Sequence, residues 1–430
     1  MFKKYDAYKD SGVQWIGDIP SHWEIKKLKH IGNAIIGLTY SPSDLCSVEE
    51  GTLVARSSNI FEGKFVFDRD DNVYVKSKIP PKLYLKADDI LICSRNGSRD
   101  LIGKCAYIKD DSNYSFGAFT TVFRGKLNHY LFYILNSDIF KRLSGTFLTS
   151  TINQLTISNL NSISIPLPPE REMEQIKAFL HEKLSTIDQA IAIKEQQIAL
   201  LNERKQIVIQ KAVTQGLNPN VTMKDSGVEW IGKIPEHWNI DRLGTILEPI
   251  SKKGHADKQL LSITREKGVI VRDVEDDSEN HNFIPDDLTN YKLIEAGQFG
   301  MNKMKAWQGS YGVSVYTGIV SPAYYIFRFI KPIYPEFFHW AIRSKLYVSF
   351  FGSASDGVRI GQWDLSKDRM KQIPFVFPSL EQQKTISDYL TQQTELISEG
   401  IKQYSAQIEK LKEYKTTLIN DAVTGKIKVA

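Results

Sequence analysis

The chain has residues suited to catalysis, but their spacing assembles none of the common catalytic sets. Gly97 to Cys105 reads GSRDLIGKC. A phosphate loop of the G-x-x-x-x-G-K-[ST] type needs one residue fewer between the glycines and a hydroxyl after the lysine to hold Mg²⁺. The Pro285-Asp286 pair is not followed within thirty residues by the D/E-x-K of a common nuclease motif. There is no Asp/Asn-Pro-Pro-aromatic quartet for methyl transfer to an amino group and no G-x-G-x-x-G dinucleotide fingerprint. Three cysteines, Cys46, Cys93 and Cys105, lack the C-x-x-C spacing of a zinc or redox site. The eight histidines are scattered, and His22 and His237 stand beside Trp23 and Trp238, where a packing role is the simpler reading. This pattern points to a protein that binds rather than one that catalyses.

Elements of ordinary globular composition must position whatever does the binding. Of 430 residues 42% are apolar and 24% charged, and 55 Lys+Arg against 50 Asp+Glu leave a net charge of +5. This excludes wholesale disorder and a histone-like basic tail protein. It permits a nucleic-acid partner without demanding one, because phosphate affinity depends on where the charge sits. No apolar run approaches the roughly 18 to 20 residues of a membrane span, so a cytoplasmic location is expected.

The sequence is written twice. DSGVQWIGDIPSHWEIKKL at Asp10 to Leu28 recurs as DSGVEWIGKIPEHWNIDRL at Asp225 to Leu243, identical at 13 of 19 positions and offset by 215. A second repeat closes each half: Pro168 to Thr214 aligns without a gap on Pro378 to Thr424, both ending in Ala-Val-Thr. These closing repeats predict long helices. Met173, Leu180, Ile187, Leu201 and Val208 follow a seven-residue period, as do Leu390, Ile397, Tyr404, Leu411 and Leu418. Leu184, Ile191, Ile198, Ile401 and Ile408 fill the complementary positions. That is a coiled-coil seam. Each helix would run about 66 Å at 1.5 Å per residue. The ten-residue linker Gln215 to Lys224 reaches at most about 36 Å, which favours an antiparallel pair. Two similar units then imply a pseudo-twofold axis.

Between the repeats the sequence turns to strands and turns. Leu83 to Leu85, Ile90 to Cys93, Cys105 to Ile108 and Thr120 to Phe123 are expected strands in the first half, with Val313 to Tyr316 and Tyr324 to Phe329 in the second. Asn96-Gly97 and Asp356-Gly357 are turn signals, and Tyr130 to Leu143 and Tyr334 to Phe351 are short helical, aromatic stretches. The expected architecture is α+β. It has a first domain with its opening strap (1–167), a first long helix (168–216), a second domain with its strap (217–377) and a second long helix (378–430).

The duplicated DSGVxWIGxIPxHW opening, the tails ending in AVT and the stretch NKMKAWQGSYGVSVYTGIVSPAYYIFR within Tyr291 to Arg328 together resemble the DNA specificity (S) subunit of type I restriction-modification systems. KADDILICSRNGS and the Pro168-Pro169-Glu170 helix entry match more loosely. The family's Glu-Gln pair after its prolines is supplied by Glu174-Gln175 and Glu381-Gln382, displaced in the first copy. The resemblance implies two target recognition domains, each reading one half of a bipartite DNA sequence, held apart by a helical spacer. Adenine methylation would then belong to two modification subunits carrying S-adenosylmethionine. ATP- and Mg²⁺-dependent translocation and cleavage would belong to restriction subunits. This chain would bind no cofactor and no metal.

Such domains need cationic and polar groups on exposed loops, some for phosphates and a few for base edges. The candidates in the first domain are Arg95, Asn96, Ser98, Arg99 and Lys104, with the polar run Thr149, Ser150, Thr151 and Asn153. In the second domain they are Lys303, Lys305, Trp307 and Gln308, with Ser353, Ser355, Arg359 and Gln362. Trp15, Trp23, Trp230 and Trp238 in the straps either pin each domain to its helix or face a partner subunit.

Overall fold

In the computed structural model, which describes residues 2–138, 140, 153–273, 285–357 and 363–429, the run Ile90-Leu91-Ile92-Cys93 forms a strand buried at every position. An all-apolar strand needs cover on both faces. Ile90 and Ile92 enter one hydrophobic core, while Leu91 and Cys93 enter another. The chain forms two compact units, Met1–Lys194 with Ala406–Ala430 and Glu195–Ser405, so the division falls inside both long helices.

In the first unit β1 (Tyr8–Asp10) pairs with β2 (Asp18–Pro20) to make the strap hairpin. Strand β3 (Glu24–Lys27) pairs antiparallel with β8 (Ser164–Leu167), which leads into the long helix. Four strands of the main sheet run in the order β4 (Asn33–Ile36), β7 (Thr120–Arg124), β5 (Ile90–Cys93), β6 (Cys105–Tyr107). Helix α1 (Asn128–Leu135) covers one face, burying Tyr130, Leu131 and Ile134. The short α2 (Ile157–Ser162) is capped by Thr156, whose hydroxyl accepts from the Asn159 N–H.

The second unit repeats this plan. Its strap is β9 (Met223–Asp225) with β10 (Lys233–Pro235), and β11 (Asn239–Arg242) pairs with β16 (Pro374–Phe377). The sheet order is again β12 (Leu247–Ile250), β15 (Tyr325–Phe329), β13 (Phe299–Met301), β14 (Tyr311–Val313). Helices α4 (Pro335–Ile342) and α5 (Lys345–Ser353) supply the aromatic cover, and α6 (Lys367–Gln372) is capped by Ser366. Phe299 and Met301 face the main core. Between them Gly300 faces Ile294 and Ile263, where an added Cβ would come within 2.7 Å and 2.8 Å of their methyl groups. The glycine lets a second small core close against the strand.

Long helices α3 (Glu170–Gln215) and α7 (Leu380–Val423) pair antiparallel within each unit. In the first, the Lys415 ammonium meets Asp188 at 2.5 Å and Lys194 donates to Gln407 at 2.5 Å, so the partner number falls as the helix advances. In the second, Lys205 donates to Ser398 at 3.3 Å, and Gly400 lies against Leu201. Leu180, Ile187, Leu390, Ile397 and Leu418 are buried in the seam. Leu201, Val208 and Leu411 are half-buried. At the end of α3 the buried face moves on to Ile209, Ala212 and Val213, which pack with Trp238 of the second strap. Ile419, Ala422 and Val423 do the same with Trp23 of the first. There the contact is tightened by the Tyr8 hydroxyl donating to the Gly425 carbonyl at 3.0 Å and by a bridge between Lys3 and Lys428.

Two strand expectations shift. Pro80-Pro81 fixes the backbone into a 3-10 turn over Pro81–Leu83, leaving Tyr84 only an isolated bridge to Ser115. The strand expected over Val313 to Tyr316 ends at Val313, because the Ser314 hydroxyl accepts from the Tyr316 N–H and donates to its carbonyl, making a turn.

Glu172 fastens the first strap to α3. Its carboxylate accepts from Tyr5 Oη at 3.0 Å and Trp23 Nε1 at 3.0 Å and meets His22 Nε2 at 2.6 Å. In the second unit the place 210 residues on belongs to Gln382, which meets His237 at 3.1 Å. Glu172 and Gln382 are thus the matched pair, rather than the displaced Glu174-Gln175. Burial pushes the Glu172 carboxyl up, but hydrogen bonds from Trp23, His22 and Tyr5 outweigh it and hold the group below its ordinary 4.5. A depressed folded value means that the ionised form stabilises the fold above about pH 4.5, and that this contribution disappears as pH falls through the folded value. Glu172→Gln is expected to lower stability at pH 7 by about 1–3 kcal/mol and to flatten the acid limb of a denaturation series. An unchanged acid limb would show that the network does not hold the strap.

Candidate nucleic-acid interface

The same two segments meet in both units. One follows the central strand (β5 or β13), and the other enters the short helix (α2 or α6). In the first unit Arg95 forms an isolated bridge with Gln154, and the Asn96 N–H points to the Asn153 carbonyl at 3.4 Å. Asn153 Nδ2 donates to the Gly97 carbonyl at 3.0 Å. In the second unit Lys303 Nζ lies 2.7 Å from Asp364 Oδ2, and the rings of Trp307 and Trp363 meet at 5.1 Å. Residues far apart in sequence are therefore gathered into one polar, cation-bearing ridge per unit.

The side chains on these ridges divide by what they already hold. Arg95 is exposed, with its guanidinium 5.0 Å from the ring centre of Phe119, itself 59% exposed. This flat cation on an aromatic plane is suited to hydrogen-bond a phosphate or a guanine edge. Asn96 is occupied: Nδ2 donates to Ser57 Oγ at 2.9 Å, and Oδ1 accepts from the Ser98 N–H at 2.9 Å. It shapes the loop rather than offering itself to a ligand. Ser98 and Arg99 are exposed. Lys104 is half-buried and reaches the Ser57 carbonyl at 3.5 Å; burial pushes its ammonium down, and Arg69 adds to this against the opposing influence of Cys93. Thr149, Ser150 and Thr151 lie outside the described residues.

In the second unit a 3-10 turn over Lys303–Gln308 carries the cations. Asn302 opens it, accepting from the Met304 N–H at 3.2 Å, and Gly309 closes it at φ 91°, a left-handed conformation that glycine adopts without strain. The hydrogen bond to Asp364 holds Lys303 protonated, raising it above its ordinary range. Lys305 is exposed, and Trp307 and Gln308 are half-buried. Trp363, which the sequence reading passed over, forms the other half of the tryptophan pair. Ser353 is exposed, but Ser355 is buried and donates to the Phe351 carbonyl at 2.7 Å, so it cannot meet a ligand. Arg359 and Gln362 lie outside the described residues.

The strap tryptophans also separate. Trp23 and Trp238 are 0% and 2% exposed, which makes them core pins and removes them from any partner surface. Trp15 and Trp230 are half-buried, and Trp230 stacks on Phe350 with centroids 3.2 Å apart. Sequence reasoning missed Ser57, Phe119 and Trp363, and no local signal distinguishes Phe119 from a core aromatic. Among the described residues no group of three or more His, Cys, Asp or Glu could hold a metal ion, and no helix is long and apolar enough to cross a membrane.

Residues 20–203 match the family model described as the type I restriction modification DNA specificity domain. The whole chain is 27% identical to the putative type I restriction enzyme MjaX specificity subunit of Methanocaldococcus jannaschii, over 98% of that protein. It is also 27% identical over 228 residues to the EcoKI specificity subunit of Escherichia coli. That match takes in 51% of this chain and 47% of the relative, about half its length. A solved chain of a type I R-M system shares the fold at TM-score 0.66 and 14% identity, over 94% of this chain and 98% of the other.

If Asn96 positions the loop while Arg95 stands free above it, their variants separate. Asn96→Ala is expected to speed amide exchange at residues 96–98 and cost about 1 kcal/mol, whereas Arg95→Ala leaves that exchange unchanged. Equal exchange in the two variants would reassign Asn96 to the exposed face.

Proposed function

We propose, from the premise that this chain belongs to the DNA specificity subunits of type I restriction-modification systems, that each unit reads one half of a bipartite duplex target. The observation that carries this is the duplicated ridge. The same loop pair, at the same place beside the same sheet order, bears Arg95 in one unit, set against Phe119 from the turn before β7, and Lys303, Lys305 and the Trp307–Trp363 pair in the other. Equal frames with unequal side chains suit two different short sequences. Arg95 is assigned to a base edge or its flanking phosphate, as are Ser98, Arg99, Lys305 and Gln308. Lys104 and Lys303 supply charge, and Asn96 and Asn153 hold the loop.

The long helices act as the spacer that sets the distance between half-sites, since two readers at fixed separation dock only where groove faces match it. Segments 1–167 and 217–377 are the recognition domains, and 168–216 and 378–430 the spacer. Two modification subunits bring S-adenosylmethionine and methylate adenine; restriction subunits bring ATP and Mg²⁺ and cleave. This chain directs them in the cytoplasm without a cofactor of its own. Trp15 and Trp230, with the exposed helix residues Leu200, Ile207 and Leu396 (56%, 57% and 63% exposed), are the apolar groups offered to the modification subunits.

The purified chain with its modification subunits is expected to methylate adenine only within a two-part sequence, and the chain alone to transfer no methyl group. Arg95→Ala should relax discrimination in one half-site by about 1–3 kcal/mol while leaving the other intact. Undiminished affinity and unchanged preference at both half-sites would remove Arg95 from the reading set.

A further inference from the structure

A second cationic feature of the second unit adjoins the ridge at Lys303 and is lined by residues given no role above. Pro249 and Ile250 from the edge strand, Ser251 just after it, Lys292, Tyr325 and Lys367 line a shallow pocket of ≈ 180 Å³. Lys292 is half-buried, and its ammonium donates to the Tyr324 carbonyl at 2.7 Å. The Lys367 ammonium sits 4.2 Å from the ring centre of Tyr325, and Lys253 is exposed nearby. Burial pushes the Lys292 ammonium down, and so do the like charges of Lys367, Lys253 and Lys303. Of these four lysines only Lys303 has a carboxylate partner among the described residues, Asp364. Positive groups that repel one another around a partly dehydrated pocket lower their energy when an anion enters.

The first unit lacks this arrangement. Strand pairing sets Ile90 against Phe123 and Phe299 against Phe327, which aligns the two sheets. By that register Lys292 corresponds to Leu83 and Tyr325 to Thr121, while the 210-residue offset sets Lys367 against Ile157. Leu83 and Thr121 are buried and Ile157 is uncharged. The pocket is therefore a property of one unit and not of the shared frame.

We propose that Lys253, Lys292 and Lys367 form a clamp for DNA backbone phosphate on the flank of the second unit, an unspecific grip that the first unit does not possess. The inference rests on the DNA-reading function above and adds to it a division between gripping and reading. Oxygen atoms of one or two phosphates would take N–H donors from Lys292 and Lys367, with Lys253 closing the pocket from outside and Tyr325 holding Lys367 in place. Contacts of this kind carry no sequence information and appear as salt dependence, each neutralised phosphate contributing about 0.9 to the slope of log K against log salt.

The test compares the full chain, assembled with its modification subunits, on cognate and scrambled duplexes of equal length across a salt series. Lys253→Gln/Lys292→Gln/Lys367→Gln is expected to reduce the slope by roughly 1 to 2, with both duplexes weakened by the same factor and their ratio preserved. Because Lys292 is half-buried, Lys253→Gln/Lys367→Gln is measured beside it, and this exposed pair should lose roughly 1 of the slope. A wild-type slope in both variants overturns the clamp while leaving the function intact. So does a variant that loses tripolyphosphate binding with its duplex slope unchanged, which would make the pocket a site for a small phosphate ligand. Failure of the wild-type assembly to bind either duplex overturns the DNA reading itself, and the clamp with it.

Discussion

Burial of a helix end beneath a duplicated strap is the contact on which each unit depends. Val423 and Ala422 reach the first strap from the far end of the sequence and pack on Trp23, while Val213 and Ala212 pack on Trp238 a short linker away. Burying an aliphatic side chain of this size stabilises by about 1.5–3 kcal/mol, and tryptophan adds one of the largest apolar surfaces available. The same residue types therefore solve the same problem once across a covalent link and once without it. In the first unit the missing link is replaced by the Tyr8 hydroxyl on the Gly425 carbonyl and the Lys3–Lys428 bridge, while Glu172 at the start of α3 accepts from three donors of the same strap region. In the second unit Gln382 meets His237 with no carboxylate. A fold that places its helix ends so firmly can let its loops vary.

That freedom appears in the loops. The sheet order and the capped short helix are the same in both units, yet the segment after the central strand is a loop around Asn96 leading into a short 3-10 turn over Arg99–Leu101 in one and a longer 3-10 turn over Lys303–Gln308 in the other. The rigid parts spend their apolar residues on two cores at once, as the alternation of Ile90, Leu91, Ile92 and Cys93 between clusters illustrates. The cationic groups sit where neither core needs them. On the proposed function, side chains for reading and for gripping differ between the units, with Arg95 in the first and Lys292 with Lys367 in the second.

Much of this was legible in the sequence, for reasons that differ by element. The helices were legible because a seven-residue period over more than forty residues has few other solutions, and the strand Ile90–Cys93 because an unbroken apolar run between turn signals must be buried. Asn96 was found as part of a polar loop, but its use in shaping that loop was not. Hydrogen bonds to Ser57 and the Ser98 N–H depend on chain distant or folded back in three dimensions. Ser355 reads as a polar ligand group in sequence and is buried, because its hydroxyl satisfies a helix carbonyl instead. Phe119 and Trp363 escaped notice because aromatic type alone does not tell core from surface. The lysine pocket escaped because Lys253, Lys292 and Lys367 span more than a hundred residues and meet only through the sheet.

The central claim is that the two units read independently. It is tested most directly by mapping methylated adenines genome-wide in cells carrying this chain with type I modification subunits, before and after residues 244–375 are replaced by the corresponding segment of a type I specificity subunit. The account predicts a bipartite motif with fixed spacing, in which the exchange rewrites one half and leaves the other half and the spacing unchanged. A single contiguous motif, or an exchange that alters both halves or neither, would contradict it.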